Sequence, residues 1–324
     1  MKDQNQAPFR VVSLGDLVMD VILEGVNLPV VVNLHQEPGK VLVEPGGAGN
    51  FLITAARLGM SPSAIGVIGE DAFGAQLIDI LKKEKVQTEG IIIHADESTS
   101  TVFVLKDFQD QYVFLGHLAP GQSVKWNPNW EGILKECEAI QLLGYSLIEE
   151  RMVNSVLQGL EYAKHLGKPI FFDPGPLAAQ IDTLLLKQVI RQCAVITLNQ
   201  QEVNLLTGSS APESMKSFLA EGVDMVCIKR ASQGCSLFRI NEEADHPGFA
   251  VDVIDTAGAG DAFNAGLVLG WLNGWELSEI AAFANAVGAA KAKKNGTGRN
   301  MPTRQEIVDM LSDHNVPLPV FLHD

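Results

Sequence analysis

An α/β fold is predicted for this chain of 324 residues: a three-layer sandwich with a mostly parallel central sheet, and a small β-sheet lid standing off one edge. Two observations predict it. Short β-branched runs alternate with longer amphipathic ones, the pattern of parallel strands joined by right-handed crossovers and covered on both faces. Two segments break that rhythm, carrying strand-like runs with no helix between them. Hydrophobic residues make up 46% and charged residues 19%, which supplies a large core and excludes a largely disordered chain. Repeats, low-complexity tracts and long linkers are absent from the sequence, so residues 1–324 read as one domain with an appended lid.

The elements follow in order. Residues 9–14 form the first buried strand, 50–58 and 73–83 two helices, and 64–67 a short apolar strand between them. Residues 139–143, 169–172, 195–198 and 225–229 are further buried strands, separated by helices at 151–165, 183–191, 200–206 and 212–220. The last third is helical, at 262–272, 277–293 and 304–312. The lid is drawn from about 21–45 and 91–118, with strand-like runs at 30–32, 41–43, 101–105 and 112–114; a plain extension of the central sheet is the alternative. A lid would exclude water from chemistry beneath it.

Lysine and arginine total 24 against 39 acids, a net charge of −15. That argues against nucleic-acid or anionic-membrane partners, which need a basic face, while leaving room for a local phosphate pocket. No apolar run reaches the roughly 18 residues of a membrane span, and the first residues show no signal-peptide pattern. Cys137, Cys193, Cys227 and Cys235 are scattered without a CxxC pair. They read as buried thiols of a reducing, cytoplasmic compartment.

The most informative stretch is Asp255-Thr256-Ala257-Gly258-Ala259-Gly260-Asp261, placed between the apolar run 249–254 and an apolar helix. Small residues let the backbone approach a ligand, and a helix start attracts negative charge through its free N–H groups and dipole. Two roles fit Asp261 on the turn alone. It caps the helix, or it accepts a proton from a hydroxyl that attacks phosphorus. A dinucleotide fingerprint fails because Phe263 stands where the third glycine is needed, and no GK[ST] of a Walker loop exists.

With its flanks this turn resembles the second signature of the ribokinase-like (pfkB) family of carbohydrate kinases. The first signature lies upstream as Gly46-Gly47-Ala48-Gly49-Asn50, Ala55-Ala56-Arg57-Leu58-Gly59 and residues 66–74. Gly15 to Asp20, Asn199-Gln200-Gln201-Glu202 and Lys229 to Gly234 resemble further landmarks, in family order, so the resemblance spans residues 9 to about 310. It implies an ATP-dependent phosphotransferase acting on a hydroxymethyl group of a sugar or sugar-like alcohol. It implies Asp261 as base and the amides of Ala257, Gly258, Ala259 and Gly260 as the anion hole. It implies Asn199 and Glu202 as organisers of Mg2+ through water, and Lys229, Gly234 and Asn285 as nucleotide contacts. Asp20, Asn50, Gly46 and Gly47, with Asp16 as an alternative turn residue, would bind the sugar. Phe103, Phe114 and His117 either cover the substrate or simply pack. Asp255 and the loop around 293–300 sit where relatives bind a monovalent cation, which suggests K+; an ordinary hydrogen-bonded loop is the alternative. A homodimer through the lid is common among relatives.

The first signature is one residue shorter than the commoner GGxGAN loop, and Leu52 replaces a small residue. Asp173-Pro174-Gly175-Pro176 lacks the Asn and Arg of the pattern seen in fructokinases and ketodeoxygluconate kinases, which argues against both. A nucleoside kinase on the same scaffold is the alternative to a sugar kinase. A catalytically degenerate interaction protein is the third reading, opposed by the intact Asp261, Gly258, Gly260, Asn199 and Glu202.

Overall fold

Alternation with a period of two sends successive strand residues to opposite sides, and here it divides the core in two. The computed structural model describes residues 8–119, 121–209 and 213–317. Its first half runs β1 (Arg10–Leu14), β2 (Val18–Val26), β3 (Lys40–Pro45), α1 (Ala48–Arg57), β4 (Ser61–Gly69), α2 (Ala72–Lys83), β5 (Gln87–His94), β6 (Ser100–Asp107), β7 (Tyr112–His117), α3 (Pro128–Glu136), β8 (Ala139–Leu143) and α4 (Val153–His165). The second runs β9 (Ile170–Asp173), α5 (Thr183–Ile190), β10 (Val195–Asn199), α6 (Gln200–Thr207), α7 (Glu213–Ala220), β11 (Met225–Lys229), β12 (Cys235–Arg239), β13 (Glu242–His246), α8 (Ala259–Leu272), α9 (Leu277–Ala292) and α10 (Arg304–Asp313).

Nine strands form one sheet in the order β13-β12-β11-β10-β9-β8-β1-β4-β5. It is parallel except for β12 and β13. Val11, Ala64, Phe171 and Val195 face one core, shared with Phe51 of α1, Leu267 of α8 and Val287 of α9. Val12, Ile65, Phe172 and Ile196 face the other, with Trp130 of α3, Val156 of α4 and Phe218 of α7. Helices on both faces make the three layers.

A second sheet of four strands has the order β3-β2-β6-β7, with β2 and β6 parallel and the outer pairs antiparallel. The even-numbered side of its strands is tied to the main body: Asp20 to Thr297, Glu24 and Lys106 to Asn295, Glu44 to Arg299, and Tyr112 to Asp255. The opposite side carries Val21, Leu23, Val41, Val43, Phe103, Leu105, Val113 and Leu115 in facing register.

Several expectations change. Residues 30–32 are not a strand, and Val18–Val26 supplies the pairing instead, so Asp20 stands on the small sheet. Residues 91–94 belong to β5 at the edge of the main sheet, where Ile91 and Ile93 pair with Gly66 and Ile68. Phe103 lies on the outward side, so it does not reach inward. Helix α8 starts at Ala259 rather than 262, which places Asp261 in its first turn. The sequence reading omitted α3, β12 and β13. Pro212, expected to open a helix, lies outside the described residues.

Candidate active site

Polar residues gather where the strand order reverses. From β1 the chain continues to β4 on one side and later to β8 on the other, and Gly15 and Asp16 follow the end of β1. Asp173, Asn199 and Lys229 each end a parallel strand on the same edge. Crevices outside the carboxyl ends of strands at such a reversal are where open α/β sheets hold ligands.

Two aspartates and two glycines form one half. Asp16 is buried in the left-handed region, φ 52°, and accepts the Ala48 N–H at 3.1 Å. A non-glycine there is strained and marks a functional position. Asp20 accepts the Thr297 hydroxyl at 3.1 Å. A Cβ on Gly46 would stand 2.2 Å from Asp20 Oδ1, and one on Gly47, φ 45°, 2.2 Å from Asp16 Oδ2. The glycines are therefore what allows the chain to pass against both carboxylates. Burial pushes Asp16 well above the usual carboxylate range, with the charges of Glu149, Asp261 and Asp20 adding to it against the Ala48 amide. Burial likewise lifts Asp20 to about 7, opposed by the Thr297 hydroxyl and helped by Asp261 and Glu44.

Asn50 joins this half to the glycine-rich turn. Its Nδ2 donates to Asp261 Oδ2 at 2.9 Å, and its Oδ1 accepts the Gly298 N–H at 2.9 Å. Gly258 is left-handed, φ 76°, and caps α8. The amides of the turn divide into two sets. Ala257 N–H donates to Asp255 Oδ1 at 2.9 Å and Ala259 N–H to the Thr256 carbonyl at 3.1 Å. The amides of Gly258, Gly260 and Asp261 have no acceptor among the described residues. The expected anion hole is thus corrected: Ala257 and Ala259 shape the turn, and the available donors are at 258, 260 and 261. Asp261 is half-buried, and burial pushes its carboxyl up to about 7; Asn50 opposes, Asp173 adds, and Lys229 and Lys291 oppose. A carboxylate that titrates near neutrality is matched to proton abstraction.

The third group faces the ends of β9 to β11. Asn199 caps α6 and forms a capping box with Glu202, whose oxygens accept Asn199 N–H at 2.7 Å and Nδ2 at 2.6 Å. Glu202 is buried rather than solvated; burial and then the Asp173 charge raise it, while Lys229 lowers it. Lys229 pairs with Asp173 Oδ2, which also accepts Asn264 Nδ2 at 2.7 Å. Glu202, raised by the neighbouring Asp173 charge, forms with it a pair of oxygen donors that suits a divalent cation. The donor set, two carboxylates, fits a hard cation such as Mg2+, which takes oxygen ligands and keeps several waters. Gly234, φ 77°, closes the turn after β11, where a Cβ would meet the His246 carbonyl at 1.9 Å. Asn285 is buried, its Nδ2 donating to Cys235 Sγ at 3.1 Å and the Ala281 carbonyl at 2.8 Å. Those interior partners occupy its amide nitrogen, which counts against the expected nucleotide contact.

Asp255 does not fit a potassium ligand. Its Oδ1 accepts Tyr112 Oη at 2.8 Å and the Ala257 N–H, and its Oδ2 accepts the Gly296 N–H at 2.8 Å. Its carbonyl accepts Lys291 Nζ at 3.3 Å, and the same ammonium reaches the Lys294 carbonyl at 3.0 Å. Its carbonyl oxygen already faces an ammonium, and its carboxylate oxygens are taken up by a hydroxyl and two amides.

Sequence reasoning gave Asn264 and Lys291 no role, named Asp173 only as part of a substrate pattern, and met Thr297 and Gly298 only within the 293–300 loop. For Asp173 a signal existed, a carboxylate as the last residue of a buried strand. For Lys291 it was a lone lysine between Ala290 and Ala292 in an apolar helix. Two surface recesses of about 950 and 570 Å³, on α4–α5 and on α5–α7, are lined by none of the site residues.

Comparison with known proteins converges on one family. The model for "pfkB family carbohydrate kinase" matches residues 9–304. A probable fructokinase-5 of Arabidopsis thaliana is 27% identical over 310 residues, covering 90% of this chain and 94% of the relative. A putative ribokinase II of E. coli, solved with ATP and Mg2+, superposes with a TM-score of 0.80 at 26% identity, covering 94% of this chain and all of that one. A ribokinase of Arabidopsis thaliana, solved with ribose and ATP, has a TM-score of 0.79 at 22% identity, covering 94% and 99%.

Proposed function

Because the chain belongs to the pfkB family of carbohydrate kinases, and is a sugar kinase of the ribokinase/fructokinase type, we propose that it transfers the γ-phosphoryl group of ATP to a hydroxymethyl group of an uncharged sugar, with Asp261 as the base. One observation carries this reading: the Asn50–Asp261 hydrogen bond, which joins two sequence signatures beside the unpaired amides of Gly258 and Gly260. The crowding of Asp16, Asp20 and Asp261, in which Asp261 raises both of the others and Asp20 adds to Asp16, supports a neutral acceptor. A phosphorylated or carboxylated sugar would be repelled there, whereas neighbouring hydroxyls donate to such carboxylates.

In this mechanism Asp16 and Asp20 accept sugar hydroxyls and aim the hydroxymethyl group at the turn. Asp261 takes its proton as the oxygen attacks the γ-phosphorus in line, and ADP leaves. The amides of Gly258, Gly260 and Asp261 receive the charge on the transferring phosphoryl oxygens. Lys229, steadied by Asp173, supplies a positive charge near the phosphates. Glu202 and Asp173 would hold Mg2+, which would supply neutralisation of the phosphate charge. The small sheet acts as a lid, with Tyr112 tying it to the catalytic loop through Asp255. Phe114, 61% exposed on the inward side and stacked on Tyr112, is the aromatic a nucleoside kinase would set against a base.

The outward side of the lid supports a homodimer. Val41, Phe103, Val113 and Leu115 are exposed there in one apolar patch, and such patches mark interaction surfaces. Four free, buried cysteines support a cytoplasmic setting, and a net charge of −15 opposes polyanionic partners.

The test is ATP turnover with ribose, fructose, adenosine, inosine and cytidine, in Mg2+. Asp261→Asn should lower turnover on the order of a hundredfold or more with ATP binding little changed. Near-normal turnover would remove Asp261 from the role of base. Tight ATP binding without turnover on any alcohol would favour the degenerate reading.

A further inference from the structure

We propose that Lys291 is a built-in cation for the catalytic loop, taking the place of a bound monovalent ion, so that this kinase works without K+. The inference rests on the kinase reading of the same site. Lys291 lies in the last turn of α9 with 0% exposure. Its ammonium donates to the carbonyls of Asp255, before the glycine-rich turn, and Lys294, after α9. The same two segments are joined by the Ile254 and Asp255 amides, which both donate to the Ala292 carbonyl, at 2.8 and 3.2 Å.

The charge has a use beyond joining loops. Asp255 holds the Ala257 amide on one side and the Gly296 amide on the other. Gly296 leads to Thr297 and Gly298, which hold Asp20 and Asn50. One ammonium therefore anchors the turn that carries the phosphoryl donors and the loop that holds Asp20 and Asn50. Its field is felt at Asp261, where it favours the ionised form. A buried lysine without such partners would be costly. Burial holds it down to about 8, against the attraction of Asp255, so it stays protonated at neutral pH. Lys294 does not compete for the position, since its own Nζ is held by Glu306 Oε2 at 2.8 Å and the Met301 carbonyl at 3.1 Å.

Lys291 is thus a positioning residue, and its test combines cation dependence with amide exchange. With chloride constant, the wild-type enzyme should turn over within twofold in K+, Na+ or tetramethylammonium. Lys291→Met, similar in volume but uncharged, should lose at least tenfold in kcat with the ATP KM within threefold. Lys291→Ala, which opens space for an ion, should regain much of its turnover in K+, NH4+ or methylammonium but not in tetramethylammonium. Hydrogen–deuterium exchange should rise in Lys291→Met at the Ala257 and Gly296 amides and stay unchanged in β8–β10. That exchange is read on the protein alone, so it tests the inference even if no sugar is phosphorylated, an outcome that would count against the kinase reading instead. A wild type stimulated more than fivefold by K+, a Lys291→Met variant with normal kcat, or exchange unchanged at 257 and 296 would each overturn the proposal.

Discussion

Replacing Asp261 by asparagine should make the protein more stable while it loses turnover. The native carboxyl rises from 3.8 to about 7, chiefly by burial. A shift of that size corresponds to about 4 kcal/mol of native-state free energy set against the ionised form. Part of the side chain reaches solvent, so the expected recovery is about half of that, about 2 kcal/mol. Asparagine can still accept the Asn50 amide. The sign follows from linkage. Between roughly pH 4 and 7 the native wild type holds a proton that the unfolded chain releases, so acidification stabilises it across that window. The asparagine variant has no such group. Its advantage should therefore be full at pH 8 and vanish toward pH 4. Urea unfolding of both proteins at pH 8, 6 and 4.5 measures this, beside pH profiles of kcat/KM. Wild-type kcat/KM should fall about tenfold per unit below about pH 7, because the base must be ionised. A variant less stable than wild type at pH 8, or an advantage independent of pH, would refute the view that Asp261 is held charged against its surroundings.

Three further outcomes are expected. Gly47→Ala forces a side chain toward Asp16 and into a backbone region at φ 45°, costing about 1–3 kcal/mol in strain; the sugar KM should rise at least tenfold with the ATP KM unmoved, and an unchanged sugar KM would place Asp16 outside the pocket. Glu202→Gln should raise the Mg2+ concentration for half-maximal rate severalfold without altering the sugar KM; equal Mg2+ curves would leave Glu202 only its capping box. Phe103→Glu, on the outward apolar side of the lid, should convert a dimer to a monomer in sedimentation velocity, and a wild type already monomeric at micromolar concentration would dispose of the lid interface.

Much of this molecule is legible in one dimension. The parallel strands at 139–143, 195–198 and 225–229 appear within a residue of their final bounds, because buried strands read as unbroken apolar runs. The lid was harder. Residues 30–32 look like a strand by composition, yet Val30, Val31 and Val32 are exposed and unpaired in the sheet, while Val18–Val26 extends past its apolar start through Glu24 and Gly25. Pairing partners decide strands in an antiparallel edge, and those partners are distant in sequence. The strands β12 and β13 were missed for a similar reason: Glu242–His246 is mostly charged, as suits a solvent-facing edge.

The sequence by itself determined the layered fold and the two glycine-rich signatures, because each depends on local spacing: strand period, helix start, small residues at a turn; it singled out Asp261 as the candidate base only through the family resemblance. Only the tertiary structure decided that Asn50 meets Asp261 across 211 positions, that Ala257 and Ala259 spend their amides inside the turn, and that the Lys291 ammonium reaches the Asp255 and Lys294 carbonyls. Hydrogen bonds and burial are properties of neighbours in space, and a buried ammonium can be told from a solvated one only when the carbonyls around it are in place.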